Sequence, residues 1–203
     1  GNGVSIDEWL RYATTESLSY FMYLKPKTAK RMHFDVIPKA MDEYQQQLKA
    51  FHTQEPAAQL NNPIFHIHGQ NAPKPDMAVS FSMLLNLAAV ANADEKDQLW
   101  GFIQRYAPDT SAASHPGLDQ AAGFAVRYYN DFVKPTKTYR APSDLERSAL
   151  QDLRDQLAAY QGPLDPEQLQ SIVFACGRER FEPLRAWFKA IYEVLLGSSQ
   201  GPR

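Results

Sequence analysis

Seven positions, 25–31, hold Lys25, Lys27, Lys30 and Arg31 around Pro26 without an acid. Flexible cations on a turn can follow a phosphate backbone without reading its bases. The same residues also fit a solvated basic turn, since charge runs are usually soluble surface. Farther on, Arg178, Arg180, Phe181, Arg185 and Trp187 flank Gly177. Guanidinium planes mixed with aromatic rings can stack on and hydrogen-bond splayed single-stranded bases. A core stripe fits that spacing too, with Phe181 and Trp187 beside Leu184, and with Glu182 paired to Arg185 and Lys189 to Glu193 along an exposed face. A third segment sets Tyr128, Tyr129, Asn130, Asp131 and Tyr139 near Lys134, Lys137 and Arg140, which suits an RNA-facing edge and the closure of a helix hairpin equally.

Other chemistries find little support. His66-x-His68, with His52, is the nearest approach to a metal motif, but the segment lacks the cysteines that would complete a tetrahedral set. No Ser/His/Asp ordering, paired carboxylate motif or phosphate loop stands out, so the chain by itself is not expected to catalyse a reaction. Cys176 is the sole cysteine, which excludes an intramolecular disulfide and predicts a small buried residue. The net charge of −2 gives no global basic excess of the sort that often accompanies nucleic-acid binding. Charge is nevertheless segregated: +4 over 25–31, +3 over 134–140 and +2 over 178–189 leave −11 on the remainder. No run of about 18 apolar residues occurs and the first residues lack a basic-then-apolar signal, so no membrane partner and a cytoplasmic location are expected.

The elements that must position these groups read as helices. A chain of 203 residues with 44% hydrophobic content can build one large domain or two small ones. Ser5 with Glu8 and Ser143 with Glu146 have capping-box spacing, and Asp165 ahead of Pro166 gives a cap plus a first-turn proline. Gly162, Gly177 and Gly197 sit where helices should stop. Leu150, Leu153, Leu157 and Tyr160 recur at helical steps, as do Leu118, Ala121, Ala122, Ala125, Tyr129 and Phe132. Residues 77–90 are apolar all round and predict a buried central helix, while 183–196 should bury Leu184, Trp187, Phe188, Ile191 and Leu195. Eight or nine helices are expected, including 15–24 and 37–51. The one strand candidate is Lys30 to Phe34. Residues 53–76, with Pro56, Pro63, Pro73 and Pro75, read as a long connection and as the domain boundary.

Three strings carry a family resemblance. Gly1-Asn2-Gly3-Val4-Ser5-Ile6-Asp7-Glu8-Trp9-Leu10 resembles the segment that follows the Lys-Met-Ser-Lys-Ser loop of class I lysyl-tRNA synthetases. Glu16 to Lys27, continuing through Ala29-Lys30-Arg31 to Phe34-Asp35, resembles that family's helix, basic loop and strand, in its bacterial form. Phe181 to Phe188, then Leu195-Leu196-Gly197 to Gly201-Pro202-Arg203, resembles its last helix and Gly-Pro exit. The resemblance implies a mainly α fold: a stem-contact-like segment over 1–52 with one short strand, a connection over 53–76, and an α-helical, anticodon-binding cage over 77–203. It implies tRNA-Lys and the parent catalytic domain as partners, with no DNA. Lys25, Lys27, Lys30 and Arg31 would serve the stem side, and Arg178, Arg180, Phe181, Arg185, Lys134, Lys137 and Arg140 the anticodon side. No His-x-Gly-His motif, Lys-Met-Ser-Lys-Ser loop or Gly-rich βαβ unit occurs in these residues. ATP and Mg would therefore belong to the parent enzyme's catalytic domain and not to this chain. Two other readings stay open: the cage of a glutamyl-tRNA synthetase, and a helical protein–protein adaptor anchored by Trp9, Trp100 and Trp187.

Overall fold

The computed structural model describes residues 3–162 and 165–201. Gly1 and Asn2 of the first family-like string, and Pro202 and Arg203 of the last, lie outside the described residues. The chain divides into two compact units, Gly1–Pro135 and Thr136–Arg203. That division differs in extent from the 1–52 and 77–203 segments implied by the resemblance.

The first unit opens with α1 (Ile6–Leu10) and α2 (Thr15–Tyr23). The Ser5 hydroxyl accepts from the Glu8 amide at 3.2 Å and the Glu8 carboxylate accepts from the Ser5 amide at 2.7 Å, completing the expected capping box. A 3-10 turn (Phe34–Val36) leads into α3 (Ile37–Thr53), followed by α4 (Pro56–Gln59), α5 (Pro63–His68), α6 (Phe81–Ala91), α7 (Lys96–Tyr106) and α8 (Pro116–Tyr128), which ends in a π-helical turn at Tyr129–Val133. Phe81, Leu84, Ala88, Leu99, Ile103, Leu118, Ala122 and Ala125 are fully buried and form the centre of its core. Tyr20, Tyr44, Leu48, Phe51 and Ile64 form a second cluster under α5.

Sequence and structure part at three places here. Among the described residues there is no strand: residues 29–33 are irregular, and a backbone hydrogen bond from Val4 N to Met32 O at 2.8 Å ties them to the start of the chain. A lone extended segment has no ladder to join. The central helix begins at Phe81, not Met77, because the Ser80 hydroxyl caps the Met83 amide while Asp42 of α3 accepts from the amides of Phe81 and Ser82. It is buried on one face only, through Phe81, Leu84, Leu87 and Ala88, with Val90 exposed. Residues 53–76 contain two short helices, each with proline in its first turn, where the missing amide is no loss. With them the described residues hold eleven α-helices.

The second unit consists of α9 (Asp144–Ala159), α10 (Pro166–Arg178) and α11 (Arg185–Ile191), the last running into a π-helical turn at Tyr192–Leu196. Ser143 with Glu146 forms the second capping box, and the Asp165 carboxylate accepts from the Glu167 amide. Ala149, Leu153, Cys176 and Trp187 are its buried centre. Burial pushes the Cys176 thiol up. Leu195, expected in the core, is 49% exposed, since the wider π turn shifts the register of the side chains after Ile191. Leu157, expected on the α9 stripe, is exposed as well. Gly197 ends the turn in the left-handed conformation at φ 64.

Candidate nucleic-acid interface

The basic loop hangs from the end of α2. Lys30 turns inward: its ammonium donates to the carbonyls of Phe21 and Leu24 and lies 4.9 Å from the Phe21 ring centroid. It therefore caps the last turn of α2, where helix carbonyls lack partners. Burial lowers its pKa, and the neighbouring charge of Lys25 lowers it further. Lys25, Lys27 and Arg31 are exposed, so three of the four expected cations face solvent and the fourth anchors the loop that carries them. Lys25 adopts φ 52, a left-handed conformation that costs a residue with a Cβ roughly 1–2 kcal/mol. Its carbonyl accepts from the Thr28 amide at 3.0 Å, closing the turn.

Across from this loop, Lys39 on the first turn of α3 borders the same groove as Lys25, Lys30 and Arg31. Sequence reading missed it because Lys39 stands outside the run, one helical turn from its i,i+4 partner Glu43.

The 128–131 segment is an internal joint. Tyr129 is 1% exposed, the Tyr128 ring packs edge-on against Tyr12 and tilted against Phe132, and Asn130 donates to the Asp94 carbonyl at 2.9 Å. Asp131 accepts from the Tyr12 hydroxyl at 2.7 Å and pairs with Arg11 at 3.2 Å. Lys134 pairs with Asp94 at 2.6 Å, which raises the lysine and lowers the carboxylate through their mutual hydrogen bond.

In the second unit the cations divide between architecture and surface. Arg140 makes a bidentate contact to Glu146, two bonds of 2.7 Å, and a third bond of 2.7 Å from Nε to Glu193. The clamp pulls the Glu146 carboxyl down to about 2 and holds Arg140 further up. Arg180 donates to Asp152 at 2.6 Å and to the Cys176 carbonyl at 3.0 Å. Phe181 stacks on Trp187 with centroids 5.3 Å apart, and Trp187, fully buried, donates from its indole to the Val173 carbonyl at 2.8 Å. Gly177 is dictated by this packing: a Cβ there would meet the Trp187 ring at 2.2 Å. Arg178 and Arg185 are exposed and, among the described residues, form no ion pair. They line different grooves, Arg178 with Ser171 and Phe174, and Arg185 with Phe188, Lys189 and Tyr192. Lys137 is half-buried and has a partner of its own.

The histidines are held by ordinary contacts. His52 donates to the Pro73 carbonyl at 2.7 Å, His66 donates to the Leu60 carbonyl at 3.1 Å and stacks on Tyr23, and His68 meets the Tyr44 hydroxyl at 2.9 Å. Burial raises the Tyr44 hydroxyl above its ordinary pKa and keeps it protonated beside His68. Trp9, Trp100 and Trp187 are at most 8% exposed, which removes the three anchors of an adaptor surface. No helix among the described residues is long and apolar enough to cross a membrane.

Comparison with known proteins points one way. Residues 1–71 match the family model described as tRNA synthetases class I (K). A lysine–tRNA ligase of Roseobacter denitrificans is 71% identical over 203 residues, all of this chain and 38% of the relative. Lysine–tRNA ligases of Rickettsia felis and Rickettsia bellii are 44% and 45% identical over 206 aligned residues, again all of this chain but 39% and 40% of theirs. The chain thus spans about two fifths of the length of these curated relatives. Over its whole length the chain is homologous to a part of the lysine–tRNA ligases, and its first 71 residues carry the class I (K) synthetase pattern.

Proposed function

We propose that this chain is the tRNA-binding, C-terminal region of a class I lysine–tRNA ligase, with tRNA-Lys as its RNA partner in the cytoplasm and the parent's catalytic domain as its protein partner. The observation that carries this reading is the 71% identity to a lysine–tRNA ligase sustained over all 203 residues. Geometry supports it through Lys25, Lys27 and Arg31, held outward on a loop that Lys30 fastens to α2, as phosphate-positioning chemistry requires. These would meet the stem from the 1–52 segment, while the 77–203 cage takes the anticodon. There Arg178 and Arg185 are the cations with capacity to spare for a base, since Arg140, Arg180 and Lys134 already serve carboxylates. ATP and Mg act in the catalytic domain of the parent, so the isolated chain binds without activating lysine. The lysine names of the relatives favour this over the glutamyl alternative.

A gel-shift of the 203-residue chain with tRNA-Lys, competed by tRNA-Glu and unrelated tRNAs, tests the reading. Preferential retention of tRNA-Lys without lysine-dependent pyrophosphate exchange is expected. Equal competition by every tRNA would remove the anticodon role, and absence of binding would remove the function.

A further inference from the structure

Between the end of α2, the 24–31 loop and the first turn of α3 lies a groove of about 520 Å³. Small-ligand sites occupy roughly 300–1,000 Å³. Lys25, Arg31 and Lys39 stand on its rim, Phe21, Val36 and Ala40 line it, and Glu43 is the one acid among its described lining residues. Lys39 reaches Glu43 at 3.6 Å with a side chain 78% exposed, a pairing of little strength in water that a stronger anion can displace. Lys30 acts differently, as a fixed positive charge whose ammonium is already bound to two carbonyls.

A track for backbone phosphates needs cations and nothing behind them. Here apolar walls stand behind the cations, and the exposed Thr28 residue on the same groove supplies a hydroxyl for a sugar or base edge. Lys25 is also held left-handed, where glycine would fit with less strain, and backbone strain concentrates at binding sites.

We propose that this groove seats one whole nucleotide, its phosphate on Lys25, Arg31 and Lys39 and its base against Phe21 and Val36, supplied by an unpaired position of the bound RNA. The proposal rests on the tRNA-binding reading and adds to it a pocket that distinguishes a nucleotide from a bare phosphate.

The test titrates the ¹⁵N-labelled 203-residue chain with uridine monophosphate, inorganic phosphate and uridine at low salt. The monophosphate should shift the amide signals of Leu24, Thr28, Val36 and Ala40 and bind roughly tenfold more tightly than phosphate, the margin expected from base contacts. Lys39→Ala should weaken both the mononucleotide and tRNA several-fold. Lys25→Gly, which removes the charge while relieving the backbone, should weaken binding without lowering the melting temperature. Equal affinities for phosphate and monophosphate, or unmoved signals at these four residues, would overturn the proposal. If Lys39→Ala binds tRNA like the parent, the groove falls while the tRNA reading stands. If the monophosphate binds but no tRNA does, the tRNA reading fails and the RNA source of the nucleotide fails with it.

Discussion

Arg140 shows how a cation in a basic run can serve the fold through two carboxylates. Its place in a run of cations suggests a surface contact, yet its guanidinium is spent on Glu146 and Glu193. Because the folded-state pKa of Glu146 lies near 2, below its ordinary 4.5, the pair stabilises the second unit fully above 4.5, and this contribution is lost as pH falls toward 2. With Arg140 39% exposed, solvent screening reduces the gain to about 1–2 kcal/mol. Glu146→Gln should accordingly be less stable than the parent at pH 7 and converge with it near pH 2, as followed by denaturant melts across that range. A gap that stays constant with pH would mean that the Ser143 cap, not the ion pair, carries the effect. Gly177→Ala is the sharper packing test. Its new Cβ would collide with a tryptophan that has no exposed surface, so about 1–3 kcal/mol should be lost in the same melts.

Caps and periodicity were the legible part of the elements. Ser5, Ser143 and Asp165 start helices as their side chains dictate, because capping is settled within four residues. Pro56 and Pro63 were readable only as breakers, although a proline that ends one helix can begin another; the deciding feature, packing of α5 against Tyr44, Leu48 and Phe51, is long-range. The π turns after α8 and α11 left no local mark at all, and with them went the burial of Leu195. Long-range capping was equally hidden. Asp42 lies 39 residues before Phe81, whose amide it accepts at 2.6 Å, and so ties α3 to the start of the central helix. Asp42→Ala should cost about 1–2 kcal/mol, near the upper range of N-cap losses. Amide exchange in the first turn of α6 should quicken more than in α9; uniform acceleration throughout the chain would show global destabilisation instead.

At the scale of the whole molecule, net charge misleads because it averages over local patches of opposite sign. Residues 1–135 hold 12 Lys and Arg against 14 Asp and Glu, and 136–203 hold nine of each, so neither unit is basic as a body. On the proposed tRNA-binding reading, affinity for RNA comes from local patches of cations. Lys25, Lys27, Arg31 and Lys39 can meet at most about four phosphates, so this patch contributes no more than about 4 to the steepness of log affinity against log salt. Lys27→Ala with Arg31→Ala should flatten that slope by about 2 and weaken many tRNAs alike, leaving their ranking intact. Arg178→Ala and Arg185→Ala should do the reverse. Each should narrow the preference for a lysine anticodon over a swapped one, by roughly 1–3 kcal/mol where the arginine stacks on or brackets a base, with little change in slope. Arg180→Ala separates structure from recognition, because its loss frees Asp152 and should lower the melting temperature while discrimination among tRNAs persists. Affinities for matched and anticodon-swapped tRNA-Lys across a salt series, with helicity checked for every variant, decide among these outcomes. If Arg178→Ala and Arg185→Ala both discriminate as the parent does, the anticodon is not read through this pair, and Lys137 with Lys189 becomes the next set to replace.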